Sequence, residues 1–204
     1  MKIAIIGSGN VGGALAQGWA KAGHQILLGV RDISKFKGES LADLTNVRVY
    51  NIAAAVAEAE VIVIAAPASV AAEIARSLGN TTGKIIIDTM NALMIKPEGF
   101  SNTADAILSN TKTRDVVKCF NTTGFENILN PKYGDEGVDM YVAGDSERGK
   151  AAAVQLALDL GFSHCHDFGG NNRFDLIEQL AFCWINLAIM QKQGRNMAFK
   201  IVRR

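Results

Sequence analysis

Residues 3–12, which read IAIIGSGNVG, decide the fold class of this chain. The first four form a short apolar run without polar alternation, which predicts a strand covered on both faces, and residues 11–22 have the amphipathic pattern of a helix. Between them, Gly7, Gly9 and Gly12 complete a GxGxxG motif in the strand-to-helix context that makes it informative. Gly7 permits the tight turn, Gly9 lets the backbone approach a pyrophosphate, and Gly12 allows close helix–strand packing. The motif therefore predicts a dinucleotide-binding turn.

The following part of the chain alternates short β-branched runs with alanine-rich helical segments. The predicted strands cover residues 26–30, 47–50, 61–65, 85–88 and 116–120, and the predicted helices cover residues 52–59 and 69–78. Strand and helix taking turns predicts an α/β fold with a doubly wound, mostly parallel sheet, the Rossmann NAD(P)-binding fold.

Beyond residue 130 the pattern is less regular. Strands are predicted at residues 140–143 and 162–166, and helices at residues 146–160 and 171–193. They make a small C-terminal α/β extension that ends in a long helix. We therefore predict a Rossmann domain over residues 1–125 and, packed on it, an extension over residues 126–204 that shapes an acceptor pocket and a candidate dimer contact.

Composition argues against two classes of partner. Lys plus Arg number 21 and Asp plus Glu 20, a formal net charge of +1, whereas a nucleic-acid binder needs a basic face to neutralise phosphates. The longest apolar stretch near the C-terminus, AFCWINLAIM, is about half of the ~20 residues that a bilayer needs. We expect no nucleic acid and no membrane as partners. Three cysteines without CxxC spacing favour a reducing, cytoplasmic location.

The residues after the second predicted strand bear on the choice of dinucleotide. Val30 ends the strand, Arg31 follows it, and Lys35 and Lys37 come close behind. The planar guanidinium of Arg31 suits a 2′-phosphate and so favours NADP(H) over NAD(H). Two alternatives stay open, namely that Asp32 faces the ribose, as in an NAD site, and that Arg31 is a solvated loop residue.

Other predicted strands end in small or amide side chains at the edge of the sheet where ligands bind. The Ala-Ala-Pro run at residues 65–67 leaves room for the ribose and nicotinamide of a cofactor. Asn91, and Asn121 with Thr122, could fix a carboxamide or a substrate edge by hydrogen bonding. The alternative for each of these residues is a capping or turn role.

The chain offers few groups for acid–base or metal chemistry. His24 is predicted at the opposite edge of the sheet from the cofactor. His164 and His166 share one face of a predicted strand while Cys165 points to the other, which argues against a three-ligand site, and we expect no metal.

Lys118 and Asp88 remain as candidate acids or bases, although Lys118 lies inside a predicted strand and Asp88 is as easily a structural partner. No catalytic residue is assigned. A flavin or deazaflavin acceptor takes a hydride directly on its ring, so the protein mainly has to stack and orient two rings.

Five segments carry a family resemblance over nearly the whole chain. They read IGSGNVGGALAQGWAKAGH, LLGVRD, IDTMNAL, VVKCFNTTGFENI and YVAGDSERGKAAAVQLALDLGF. With them the chain resembles the NADPH:coenzyme F420 oxidoreductases, and its fold is also similar to the NADPH-binding domain of the STEAP metalloreductases. The chain has Val30 where the family commonly has Ser. It has Asn121 where the deazaflavin enzymes have His, and shares this Asn with the metalloreductase domains.

The resemblance implies that residues 8–11 hold the pyrophosphate and that Arg31 with Lys35 holds the 2′-phosphate. It also implies that residues 65–67 and 121–122 lie beside the nicotinamide. The complete predicted cofactor-binding set is Gly7, Ser8, Gly9, Asn10, Val11, Gly12, Val30, Arg31, Lys35, Ala65, Ala66, Pro67, Asn91, Asn121 and Thr122.

We predict an NADPH-dependent oxidoreductase that passes hydride between NADP(H) and a flavin, a deazaflavin or a similar small redox acceptor. The alternatives are a non-catalytic NADP(H)-binding sensor or partner protein and, more weakly, an imine or β-hydroxyacid reductase. A homodimer is also predicted, because the last helix has a broad apolar face that packs either on its own sheet or across a two-fold axis. That face comprises Phe174, Ile177, Leu180, Ala181, Trp184, Leu187 and Ala188.

Overall fold

The computed structural model describes residues 1–36 and 38–204. In this part of the chain the strands are β1 (Lys2–Ile6), β2 (Gln25–Val30), β3 (Val47–Asn51), β4 (Val61–Ile64), β5 (Ile85–Asp88), β6 (Val116–Cys119), β7 (Lys132–Tyr133), β8 (Glu136–Gly137), β9 (Asp139–Ala143) and β10 (His164–Asp167). The α-helices are α1 (Asn10–Lys21), α2 (Glu39–Ala42), α3 (Ile52–Glu58), α4 (Ala71–Ser77), α5 (Thr103–Asn110), α6 (Phe125–Leu129), α7 (Glu147–Asp159) and α8 (Phe174–Ile185).

One sheet has the strand order β3-β2-β1-β4-β5-β6-β9-β10, and β7 pairs with β8 in a separate ribbon. Strands β1 to β6 run parallel, which confirms the doubly wound, mostly parallel fold. The winding direction reverses at β1, and in such sheets ligands bind outside the carboxyl ends of the strands at this point. We call the edge formed by the carboxyl ends of β1 to β6 the carboxyl edge.

The last two strands of the sheet run against the others. β9 pairs antiparallel with β6 and parallel with β10. The amino ends of β9 and β10 therefore lie at the carboxyl edge. The sheet continues without a break past residue 125, and the predicted domain boundary there stays a prediction.

Two apolar clusters cover the two faces of the sheet. Helices α1, α6 and α7 cover one face, where the fully buried Trp19 donates its indole N–H to the Leu156 carbonyl at 2.9 Å. Helices α3, α4, α5 and α8 cover the other face. Helices from the part of the chain after residue 125 thus contribute to both faces of the sheet.

The C-terminal helical segment begins at Asn171, as predicted, but ends at Met190, before the predicted end at Gln193. A 3₁₀ turn (Asn171–Arg173) precedes α8, and a π-helical turn (Asn186–Met190) extends it, so helical structure stops before Gln193. Its apolar face packs on the chain's own sheet, and Trp184, only 3% exposed, donates to the Met197 carbonyl at 2.7 Å. The interpretation of that face as packing within the chain is confirmed, while the homodimer stays a prediction.

The sequence pattern does not predict α5 or α6. Asn102 is the N-cap residue of α5, and its side chain accepts a hydrogen bond from the Asp105 amide at 2.8 Å. The spacing Asn-x-x-Asp could have revealed this capping arrangement. α6 is too short to have a visible period. Within the described residues, no helix combines the length and apolar character needed to cross a membrane.

Candidate functional site

The glycine loop between β1 and α1 has two glycines fixed by backbone contacts and one facing open space. Gly7 has φ +107°, and a Cβ there would lie 2.1 Å from the Ala65 carbonyl oxygen. A Cβ on Gly12 would lie 1.8 Å from the Gly7 carbonyl oxygen, whereas one on Gly9 would meet nothing within 4 Å. The loop therefore packs tightly on the sheet and leaves a cradle over Gly9.

The amino terminus of α1 lacks a side-chain cap. Gly9 is its N-cap residue and no acidic residue lies in the first turn, whereas Asn51, Asn102 and Ser146 cap α3, α5 and α7 with their side chains. The first amides of a helix need acceptors, and its dipole favours an anion there. Among the residues predicted to border this anion site, Ser8 and Asn10 are exposed, and Val11 is half-buried.

The turn after β2 contains Asp32 and Arg31, the two candidates for recognising the ribose or its 2′-phosphate, and the structure gives them different surroundings. The Asp32 carboxylate accepts from the Ser34 amide at 3.0 Å and lies 3.2 Å from the Lys35 ammonium. Hydrogen bonds from Ser34, followed by that from Lys35, hold the pKa of the Asp32 carboxyl below its ordinary value. Asp32 is thus engaged within its own turn.

Arg31 is exposed, and among the described residues no carboxylate pairs with it. Its guanidinium remains available for a ligand at the carboxyl edge. Val30 is half-buried beside it, and Lys35 is exposed. Lys37 lies outside the described residues.

Two asparagines join the ends of β5 and β6. Asn91 Nδ2 donates to the Asn121 carbonyl at 2.8 Å, and Asn121 Nδ2 donates to Asn91 Oδ1 at 2.9 Å. Asn121 Oδ1 is buried and has no hydrogen-bond partner among the described residues. A buried acceptor without a donor costs free energy, about 1–3 kcal/mol, so this oxygen is suited to a donor from a ligand.

The backbone just before Asn121 makes an uncommon turn. Phe120 has φ +62°, and its buried ring packs edge-on against Trp19 with centroids 5.3 Å apart. This conformation costs a non-glycine residue about 1–2 kcal/mol and is found mainly where surrounding packing imposes it. Thr122, two residues on, turns its side chain into the core, with Oγ1 3.8 Å from Met140 Sδ. Thr122 is 3% exposed, so its side chain has little surface to offer a ligand.

The run between β4 and α4 lies next to the asparagine pair along the carboxyl edge. Ala65 and Ala66 are half-buried and Pro67 is exposed. Ala68, which follows, lines a cavity of about 260 Å³. The rest of the lining comes from the loop after β5 and from the C-terminal helix: Asn91, Leu93, Met94, Ile95, Phe182, Ile185 and Met190. Asn91 is the one polar residue among these lining residues.

A buried charge cluster lies beneath the asparagine pair. Lys118 Nζ lies 2.6 Å from Asp88 Oδ2 and 2.8 Å from Glu178 Oε1, and all three side chains are buried. Lys118 also donates to the Met90 carbonyl at 2.8 Å, while Glu178 Oε2 accepts from the Ala92 amide at 3.1 Å. The cluster therefore fixes the backbone on both sides of Asn91. Burial, together with the Asp88 charge, raises the pKa of Glu178 against the opposing effect of Lys118.

The structure thus brings Lys118 and Asp88 together as a structural pair, sealed from solvent. The sequence gives no indication of Glu178, because it reaches them from α8 and nothing local to it marks a buried carboxylate. Lys118 and Glu178 hold the backbone of the loop that carries Asn91, so we interpret the cluster as a support for that part of the site.

The three histidines lie in two places, His24 at one edge of the sheet and His164 with His166 on β10, and the carboxylate beside the second pair is not predicted from the sequence. His24 lies at the far edge of the sheet, 2.9 Å from Asp159. His164 and His166 share a face of β10, with ring centroids 5.6 Å apart. Asp139 of β9 lies between them, with Oδ1 3.3 Å from His164 Nδ1 and Oδ2 2.9 Å from His166 Nε2. Asp139 thus adds a carboxylate from the neighbouring strand to the two imidazoles, a neighbour that the side-chain pattern of β10 alone does not reveal. The absence of a metal stays a prediction.

Comparison with known proteins agrees with this geometry. Residues 2–92 match the model of a family described as NADP oxidoreductase, coenzyme F420-dependent. These residues contain the glycine loop, Arg31, the Ala-Ala-Pro run and Asn91. The predicted resemblance is therefore confirmed over the part of the chain that holds every predicted cofactor-binding residue except Asn121 and Thr122. No curated protein matches the chain.

Solved structures similar to the chain include one over its full length. A protein of Arthrobacter sp. FB24, provisionally assigned as an F420-dependent NADP reductase, is 26% identical with a TM-score of 0.87, and the match covers 100% of both chains. A hypothetical protein of Sinorhizobium meliloti is 22% identical with a TM-score of 0.73, covering 100% of this chain and 96% of the other.

An imine reductase of Streptomyces aurantiacus shares the fold at 14% identity and a TM-score of 0.70, covering 94% of this chain but only 64% of the other. The matched family is described as NADP oxidoreductases, and the first of these neighbours is provisionally assigned to the same class. The predicted enzyme class is confirmed at that level.

Proposed function

We propose that the chain binds NADP(H) along the carboxyl edge and transfers hydride between it and a flat redox acceptor of the flavin or deazaflavin class. The free amides at the start of α1 would hold the pyrophosphate, and the Arg31 guanidinium would hold the 2′-phosphate. Residues 65–67 and the Asn91–Asn121 pair would border the nicotinamide. The bound nicotinamide would supply the hydride.

The observation that carries this proposal is the unpartnered Asn121 Oδ1 beside a largely apolar cavity. A carboxamide N–H₂ is a donor of the kind that this buried oxygen lacks. Because the reciprocal hydrogen bonds with Asn91 fix the Asn121 side chain, the acceptor oxygen is oriented before any ligand arrives, which lowers the entropic cost of binding.

The character of the cavity supports a ring acceptor. Among the described residues that line it, Asn91 is the one polar residue, and none has a carboxyl, imidazole or ammonium group. Reduction of a carbonyl or imine commonly needs a positioned proton donor, whereas a flavin-type ring needs mainly stacking and orientation. The residues around the cavity therefore favour a flavin or deazaflavin over an imine.

The direct experiment is anaerobic oxidation of NADPH by the purified chain with FMN, FAD, F420 and quinones as separate acceptors. We expect turnover with at least one ring acceptor, and Asn121→Ala to lower kcat/KM by about 10-fold, the value of one hydrogen bond. Asn127→Ala is a matched control, because that amide also hydrogen-bonds within its surroundings but lies on α6. Tight NADPH binding without oxidation by any acceptor would instead indicate the non-catalytic sensor.

The glycine loop gives a paired prediction that separates binding from folding. Gly9→Ala is expected to keep the free energy of unfolding within about 1 kcal/mol, because its Cβ meets open space, yet to weaken NADPH binding by obstructing the pyrophosphate. Gly12→Ala is expected to destabilise the fold, because its Cβ would meet the Gly7 carbonyl oxygen. Urea unfolding and NADPH titration of both variants test this. Equal NADPH affinity of Gly9→Ala and the unchanged chain would contradict the proposed cradle.

We also propose that the chain forms a homodimer through the apolar side chains around the cavity rather than through the buried face of α8. Met94, Ile95 and Met190 line this cavity and are exposed. Exposed apolar groups that adjoin one another are typical of interaction surfaces. Light scattering of the purified chain measures its mass.

A further inference from the structure

Three side chains with possible metal-ligand atoms converge at the amino ends of β9 and β10, the two strands that follow β6 along the carboxyl edge. The ligand atoms of Asp139, His164 and His166 all lie within 4.8 Å of one another. We propose that these three side chains form a binding site for a divalent transition-metal ion of the zinc class, with at least one coordination position open to solvent. This inference does not depend on the proposed oxidoreductase activity.

The donor set identifies the class of ion. Two imidazoles and one carboxylate suit Zn²⁺ and related first-row ions, whereas Mg²⁺ and Ca²⁺ prefer all-oxygen sites. Around a tetrahedral Zn²⁺ with bonds of about 2.0–2.1 Å, ligand atoms lie about 3.4 Å apart. The two nitrogen–oxygen distances of 3.3 and 2.9 Å are close to this spacing, so small side-chain movements would admit the ion.

The carboxylate is held in place by the rest of the chain. The Asp139 side chain is 1% exposed, and its Oδ2 also accepts from the Ile201 amide at 2.8 Å. A hydrogen bond to a ligating carboxylate is the kind of outer contact that orients metal ligands. Because Asp139 and the histidines are on paired strands, with His164 beside Asp139 in the register, the backbone also fixes their separation.

A packing role alone does not account for both imidazoles. The part-buried pair of His24 and Asp159 indicates that one imidazole suffices to partner one carboxylate in this chain. At Asp139 a second imidazole, His164, shares the carboxylate although its side chain is 69% exposed. A cation bound between the two imidazoles and the carboxylate would contact all three groups at once. A hydrogen bond to Asp139 needs only one of the imidazoles. The exposure of His164 leaves the solvent side of the site open.

Zinc binding to the purified full-length chain without a polyhistidine tag tests the proposal. The titrations use a Cys183→Ser background, because Cys183 is an exposed free thiol, and a buffer at about pH 7.5, where imidazoles are mostly neutral. Calorimetry is expected to give one Zn²⁺ per chain, and the same ion should raise the melting temperature. His164→Ala should weaken binding by about 100-fold, with little change in melting temperature when no metal is added.

His24→Ala is the matched control, because it removes a histidine–carboxylate contact elsewhere in the chain, and it should keep the Zn²⁺ affinity of the background. Asp139→Asn keeps the shape of the carboxyl group and should also lose the ion. Absence of stoichiometric Zn²⁺ binding, or equal affinity in the background and His164→Ala, would overturn the proposal.

Discussion

Replacing Arg31 with alanine is expected to raise the Kd for NADPH by about 50-fold, the value of a charge-assisted contact to phosphate, with little change in the Kd for NADH. The reason is geometric. Asp32 is engaged with Ser34 and Lys35 in its own turn, whereas Arg31 is exposed and pairs with no carboxylate among the described residues. NADH lacks the 2′-phosphate, so removal of the Arg31 guanidinium takes no such contact away from it. Fluorescence titration of the two nucleotides measures both constants.

Arg48→Ala is the matched control for this prediction. Arg48 is an exposed arginine on the neighbouring strand β3, where it pairs with Leu27, whereas Val30 at the end of β2 pairs with Asn51. Arg48 thus lies toward the other edge of the sheet and carries the same charge. We expect Arg48→Ala to leave NADPH affinity nearly unchanged. Equal losses for NADPH and NADH in Arg31→Ala would refute the assignment of Arg31 to the 2′-phosphate.

The parts of the fold that could be predicted from the sequence are those with a local signal. Buried parallel strands read as uninterrupted apolar runs, and the glycine loop joins the first of them to a helix within ten residues. Strand direction has no such signal. The run at residues 140–143 predicts a strand, but only the structure gives its antiparallel pairing with β6.

The parts of the site that could not be predicted depend on partners distant in the sequence. Glu178 reaches Lys118 from α8, and Asp139 reaches His166 from the neighbouring strand. Nothing in the sequence around either carboxylate distinguishes it from an ordinary surface residue, because its partner lies on another element of the fold. Thr122 is a different case, because the left-handed turn at Phe120 breaks the alternation of side chains and directs its hydroxyl into the core.

Lys118→Met is expected to lower the free energy of unfolding by about 3–5 kcal/mol, because it leaves two buried carboxylates without their cation. Asp88, Glu178 and Lys118 are all within the core, where water cannot replace the lost partner. The matched control is Lys150→Met. Lys150 also pairs with two carboxylates, but Glu147 is 86% and Asp167 54% exposed, so the loss there should stay below about 1 kcal/mol. Urea unfolding measures both, and equal losses would contradict a special role of burial.

The stability deficit of Lys118→Met should also depend on pH in a definite direction. The pKa of Glu178 is already raised above 4.5 in the folded chain, so the stability linked to its protonation is fully present below that value and is lost as the pH rises through the raised pKa. Removing the lysine cation raises the pKa of Glu178 further, so Glu178 stays protonated, and its burial less costly, up to a higher pH. The deficit relative to the unchanged chain should therefore be smaller at about pH 5 than at about pH 8. Lys118→Met combined with Glu178→Gln should recover part of the loss at the higher pH, because one of the two uncompensated charges is gone. A deficit independent of pH would mean that lost packing, rather than unpaired charge, destabilises the variant.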